Sequence, residues 1–371
     1  MTDTVLDRPG PGVVERCPKR MVFGPCGGVR PEGSCELDAA LPCPWVDAED
    51  PVEVRAWDGT RPSRRSPGSG SLLADAAARP VVLTDLSVAP YDLAGLRSVA
   101  ALLAPVSDAL LVGEHHNRPD YPLTIMATEI QAAGGRPWIT LTCRDRNRVV
   151  LEQEVAGLAA LGVEGVLCVT GDGRGRDVRP GVTQVFDLDA TRLAHLAASG
   201  GLVAAVAVAP AAPPSGARAR GLLEKQRAGA SLAVANHVSS AGALAGFLAD
   251  AHELGVDLPV VAGVAVYSDE RSARVLQAFP GLALDDDAVA RVLAAPDTRE
   301  AGIDAAVTEA RALLAVPGVA TRTLILRVAG AGPSAPGWPR RHSARRSPEL
   351  RREPRRPVRS FPARPGGNRR R

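Results

Sequence analysis

Four cysteines fall near the N-terminus, at Cys17, Cys26, Cys35 and Cys43, separated by eight, eight and seven residues. Four thiolates can close a tetrahedral zinc site or hold an iron–sulfur cluster. The spacing lacks the CxxC pair of a zinc ribbon, so zinc, a cluster and four reduced thiols all stay open. A second set of reactive groups lies further on, each placed just after a short apolar run. These are Asp85, then Glu114-His115-His116, then Thr140, Thr142, Arg144, Asp145 and Asn147, then Thr170-Gly171-Asp172-Gly173, Asn236-His237 and Tyr267-Ser268. Asp85 sits almost inside its run, where partial burial favours a protonated acid that can donate at neutral pH. Glu114 is its nearest carboxylate partner, and two acids in different environments can divide proton-transfer roles. A helix cap or a salt bridge to an arginine is the structural alternative for each. His115 and His116 have no third ligand at helical spacing, which argues against a metal there. The TGDGRGR stretch, 170–176, allows close backbone approach to a ligand but is neither GxGxxG nor a P-loop. Lys225 is one of two lysines beside 42 arginines; it is read as a point charge for a phosphate or as a solvated surface lysine.

The elements that must position these groups repeat one theme. Apolar runs at Val81–Leu86, Ala109–Val112, Trp138–Thr142, Val166–Val169, Leu202–Val208, Leu232–Ala235 and Val260–Val266 recur about every 28 residues, with one longer interval. Ala/Leu-rich amphipathic stretches lie between them. Continuous apolar strands alternating with helices predict a parallel sheet covered on both sides. With Thr323–Leu326 as an eighth strand, the zone spans roughly 250 residues, the usual size of a (β/α)8 TIM barrel. Its active site then lies at the C-terminal strand ends, where the polar residues are. The organisation expected is a cysteine-rich module over 1–58, a linker over 59–71, a barrel over 72–328 and a disordered Arg/Pro-rich tail over 329–371.

Composition excludes several classes. The 371 residues are 45% apolar and 23% charged, unlike disordered, collagenous or disulfide-scaffold chains. No apolar run approaches the ~20 residues of a membrane span. The net charge of +3 hides a division: 320–371 holds 15 arginines against two acids, while 1–319 holds 29 basic and 39 acidic residues. The N-terminus has no basic start followed by an apolar stretch, so a cytoplasmic protein is expected, in which clustered cysteines bind metal rather than pair. Cys143 and Cys168, in or beside strands, are expected to be buried, inert thiols.

The segment CPKRMVFGPCGG (17–28) resembles the small cysteine-rich companion module of bacterial methylenetetrahydrofolate reductases, which is sometimes fused to the reductase. TLTCRDRN (140–147), VTGD (169–172), KQRAGA (225–230) and LDDDA (284–288) stand in the order found in the reductase barrel, so the resemblance covers about 17–319. It implies reduction of 5,10-methylenetetrahydrofolate to 5-methyltetrahydrofolate, with electrons from NAD(P)H passing through FAD over the strand ends, as part of one-carbon and methionine metabolism. By that resemblance Asp85 falls near the acid that protonates the folate. Asp172 matches the aspartate beside flavin and pterin, with Thr140 and Thr142 on the cofactor side. Lys225 matches a lysine on the cofactor phosphates, and Asn236 stands where the family places a glutamine towards the folate.

Three departures bear on the cofactor. The family's strand-one acid is usually glutamate in a segment ending in paired prolines, whereas this chain has Asp85 in TDLSVAP. Thr140 replaces the histidine before LTC. Ala209 and Pro213 replace the tyrosine and histidine that hold the flavin's adenosine half. Some relatives pass hydride from nicotinamide directly to folate, and this chain is similar to them in that respect. The alternative of another class is a non-catalytic electron-transfer or scaffolding subunit, docking a partner protein and carrying a cluster in the cysteine module. The tail reads as a frame-shifted stretch of a GC-rich gene that truncates the eighth βα unit; a polyanion-binding arm is the rival, and the only part of the chain suited to nucleic acid.

Overall fold

The computed structural model describes residues 13–46, 53–62, 71–114, 119–173, 181–279, 281–316 and 324–330, all within one compact unit, Met1–Ser334. His115, His116 and the tail from 331 onward lie outside the described residues. Eight parallel strands form a closed barrel in sequence order: β1 (Val81–Leu86), β2 (Ala109–Val112), β3 (Pro137–Thr142), β4 (Gly165–Val169), β5 (Val203–Val208), β6 (Leu232–Ala235), β7 (Val260–Val266) and β8 (Leu324–Gly330). The eighth strand is complete: Ile325 pairs with Val81 on one side and with Val261 on the other. The truncation envisaged for the last unit therefore does not open the sheet.

Helices α1 (Val13–Arg16) and α2 (Leu72–Ala78) precede the barrel. Then α3 (Leu93–Leu103), α4 (Leu123–Ala132), α5 (Arg148–Ala160), α6 (Ala190–Ser199), α7 (Gly216–Arg227), α8 (Ala241–Glu253), α9 (Glu270–Gln277), α10 (Asp286–Leu293) and α11 (Thr298–Leu314) alternate with the strands. Their starts are written locally. Asn147, Asp189, Ser240, Asp285 and Asp297 each accept a hydrogen bond from a first-turn amide of the helix that follows, which satisfies donors that the helix leaves unpaired.

The period of two along each strand divides the barrel interior. Its lower half is filled by Leu83, Leu111, Trp138, Leu167, Val234 and Val261, and Leu72 and Ala76 of α2 plug the bottom. Two residues further along β1, β3 and β6 the same inward positions become Asp85, Thr140 and Asn236, while β2, β4 and β7 present Gly113, Val169 and Gly263. The change from apolar to polar occurs at the C-terminal end of the strands, so the fold itself delivers the functional groups to one face.

The cysteine-rich segment packs on that face. Its own order comes from turns and one short antiparallel bridge, Ser34 to Pro42, with a small core of Cys17, Met21, Val29, Cys43, Trp45 and Val54. Buried barrel carboxylates capture its backbone: Asp189 accepts from the Val22 amide at 3.2 Å and Glu224 from the Trp57 amide at 2.6 Å. Phe23, Trp57 and His195 of α6 stack in series, with ring centroids 5.4 and 5.1 Å apart.

Candidate active site

A cavity of about 520 Å³ opens at the C-terminal strand ends, and Asp85, Glu114, Thr140, Thr142, Asp172, Lys225 and Asn236 all line it. The structure thus brings these seven residues to one place, whereas Asn147 caps α5 and Tyr267 packs in an apolar cluster outside the cavity. Asp85 is half-buried at the end of β1. Glu114, after β2, accepts from the Thr142 hydroxyl at 2.9 Å, is bound by Arg146, and lies 3.7 Å from the Arg144 guanidinium. Two arginines and a hydroxyl thus fix the position of this carboxyl group at the cavity wall.

Lys225 is not a surface lysine. It points inward from α7, lines the cavity and donates to the Ala207 carbonyl of β5 at 2.6 Å. Burial, reinforced by the nearby Arg218 charge, pushes its ammonium down to about 8. An electropositive group in this condition is ready for an anionic partner. Cys143 and Cys168 are fully buried free thiols, pushed up by burial, as their strand positions predict.

One side of the cavity wall comes from the cysteine-rich segment, from Lys19 to Glu36. Lys19 reaches across the mouth and donates to the Gly171 carbonyl at 2.7 Å, pairs with Glu36, and lies over the Phe186 ring at 5.9 Å. Burial alone would depress its ammonium, but Cys26, Glu36 and Asp172 outweigh that and hold it above the ordinary lysine range. Glu36 accepts from the Gly173 amide at 2.8 Å. Gly171 adopts a φ of +94°, open to glycine at little cost. At Gly173 a β-carbon would run into the Leu37 side chain. The glycines of the TGDG loop thus admit the chain's own N-terminal segment, where the sequence suggested a ligand. Arg218 of α7 completes the union: its guanidinium donates to Ala212 at 2.8 Å and Pro213 on one side, and to Pro25 at 3.1 Å and Cys26 at 2.8 Å on the other.

These contacts test the two groups that the resemblance implies. The metal centre expected at Cys17, Cys26, Cys35 and Cys43 is not formed: among the described residues no three His, Cys, Asp or Glu side chains gather around a common point. Cys17 and Cys43 serve as small apolar groups in the segment's core, while Cys26 faces the cavity beside Lys19 and Arg218. Burial raises all three thiols, Cys26 to about 11. For FAD, Thr140, Thr142 and Asp172 face the cavity. Ala209 is 3% exposed, a β-carbon on Gly27 would lie 3.3 Å from it, and the Pro213 carbonyl is taken by Arg218, so the cysteine-rich segment stands against the two positions that the resemblance assigns to the flavin's adenosine half.

Lys19, Glu36 and Arg218 were not among the residues that strand-end reasoning picks out. Lys19 carried a usable signal, since it is the other lysine in an arginine-rich chain.

No curated protein matches the chain. An uncharacterized protein from Clostridium thermocellum that binds two copies of 5-methyl-5,6,7,8-tetrahydrofolic acid shares the fold, with a TM-score of 0.50 and 11% identity over 70% of this chain and 93% of the other. Two further barrels superpose less well: 2,3-dimethylmalate lyase, TM-score 0.40, 11% identity over 71% and 80%, and tryptophan synthase from M. tuberculosis, TM-score 0.37, 17% identity over 66% and 99%. Residues 9–57 match the family described as methylene-tetrahydrofolate reductase C terminal, here at the front of the chain. Residues 117–323, more than half of the sequence, match methylenetetrahydrofolate reductase itself, and the chain belongs to that family.

Proposed function

We propose that the protein reduces 5,10-methylenetetrahydrofolate to 5-methyltetrahydrofolate by hydride transfer from NAD(P)H directly to the folate. This reading takes 1–58 as a companion module, 59–71 as a linker, 72–328 as the reductase barrel and 329–371 as a basic tail outside the reaction, in a cytoplasmic enzyme. Among the described residues no helix is long and apolar enough to cross a membrane.

In this mechanism Asp85 gives a proton to N10 of the folate. The five-membered ring opens, leaving a cationic N5-methylene carbon. Hydride from the nicotinamide adds to that carbon, giving the methyl group and NAD(P)+. The Asp172 carboxylate faces the developing cation and stabilises it in a site from which the module excludes water. Asn236 orients the pterin, and Thr140 and Thr142 border the nicotinamide. Lys225 takes an anionic group of the dinucleotide, which replaces its present carbonyl partner. Glu114 keeps Arg144 and Arg146 in place.

The observation that carries direct transfer is the module's seat over Ala209 and Pro213, where the family holds the flavin's adenosine half. Deuterium tests it. NAD(P)H deuterated at the reactive C4 position should yield CH2D-labelled 5-methyltetrahydrofolate from flavin-free protein. Loss of the label to water, together with flavin absorbance, would overturn direct transfer, because the N5 hydrogen of a reduced flavin exchanges with solvent.

A further inference from the structure

We propose that Lys19 and Glu36, both supplied by the cysteine-rich segment, are a positioning pair that fixes the Gly171-Asp172-Gly173 loop so that the Asp172 side chain faces the reacting ring. The inference deepens the proposed reaction and rests on it for the identity of the ring.

Three backbone groups in sequence are held, one on each residue. The Gly171 carbonyl accepts from Lys19 at 2.7 Å, the Asp172 carbonyl accepts from Arg144 at 3.4 Å, and the Gly173 amide donates to Glu36 at 2.8 Å. Two of the three partners come from a segment more than 130 residues away in sequence. With its main chain clamped on both sides, the loop has little freedom left to re-aim the side chain between them. Arg144 is in turn fixed by Asp145 at 2.9 Å and by Glu114, so the clamp continues into the barrel.

The pair is poorly explained as a device for stability. Its side chains are 4% and 5% exposed, and removing both charges from water costs about as much as their attraction returns. One carboxylate oxygen of Glu36, Oε2, is buried without a hydrogen-bond partner. The apolar alternative, a methionine against a leucine, would dock the segment without that cost.

The test is a double-mutant cycle in the full-length chain. Lys19→Met should lower kcat by about 10- to 100-fold, the scale of a misplaced reacting group, with KM for the nicotinamide changed less than about twofold. In an Asp172→Asn background the same substitution should cost less than about twofold, because it acts through that side chain. An equal loss in both backgrounds, or no loss in the first, overturns the proposal. The charge-neutral pair Lys19→Met/Glu36→Gln should repeat the result without leaving a lone buried charge, and guards against misfolding of the single variant. A second readout needs no turnover: in Glu36→Ala the Gly173 amide should exchange hydrogen at least about tenfold faster while the β4 amides keep their protection. An unchanged Gly173 rate overturns the clamp. If the wild-type chain turns over no methylenetetrahydrofolate, the proposed reaction falls and the Gly173 exchange alone decides the positioning role.

Discussion

Replacing Arg218 by methionine should release the cysteine-rich segment from the barrel mouth while leaving the barrel folded. Arg218 is 5% exposed and donates to four carbonyls, two on the β5–α7 loop and two on the segment. Only the two bonds that cross to the segment break when it undocks; at the upper value of about 3 kcal/mol each for a charged donor they contribute about 6 kcal/mol together. Against this stands the cost of burying the guanidinium, which burial pushes down to about 10. Measured from an ordinary value near 12.5, that is roughly 3 kcal/mol. The net contribution is thus about 3 kcal/mol, equivalent to roughly a hundredfold change in the population of the undocked segment. Alkylation of Cys26 reads that population, since this thiol lies at the docked face and Arg218 binds its carbonyl. Its rate should rise by about two orders of magnitude in Arg218→Met, while Cys168 inside the barrel stays unreactive. Arg218→Lys, with one point charge in place of a planar fork, should fall between the two. A rise below about threefold at Cys26, or a parallel rise at Cys168, would refute the reasoning.

Lys225 makes stability depend on pH in an unusual direction. Its folded-state value near 8 lies below the unfolded value of about 10.4, so the unfolded chain binds more protons between the two and stability rises with pH across that window. The penalty is complete below pH 8, so Lys225→Met should raise the urea midpoint at pH 7 and flatten the rise towards pH 10. Gly173→Ala places a β-carbon against Leu37; because that side chain can shift, the expected cost is about 1–2 kcal/mol, read as a lower melting temperature and faster exchange around Glu36 and Leu37.

The barrel was legible because its strands are buried on both faces. Four of the seven runs, such as Val81–Leu86 and Val260–Val266, coincide with observed strands to the residue, since a strand between two apolar layers has no polar position to blur its ends. The ends of these runs then placed Asp85, Thr140 and Asn236 at the C-terminal face without knowledge of their neighbours. The docking of the N-terminal segment was not legible. It depends on single polar contacts such as Val22 to Asp189 and Pro25 to Arg218, at separations of 167 and 193 residues, and no local period records a partner that far away.

The order of the chain gives the docked segment a history during synthesis. Cys17 to Trp57 leave the ribosome first, yet the groups that receive them, Asp189, Arg218 and Glu224, are made much later. At about 5–20 residues per second, the 193-residue separation between Pro25 and Arg218 corresponds to a wait of roughly 10 to 40 s. During that time Phe23 and Trp57 lack the barrel residues that cover them, His195 and Ala228 among them, and six thiols accumulate in reduced form on an unfinished chain. Contacts of such long range close late and slowly. The barrel is therefore the template on which these earlier-made residues complete their fold.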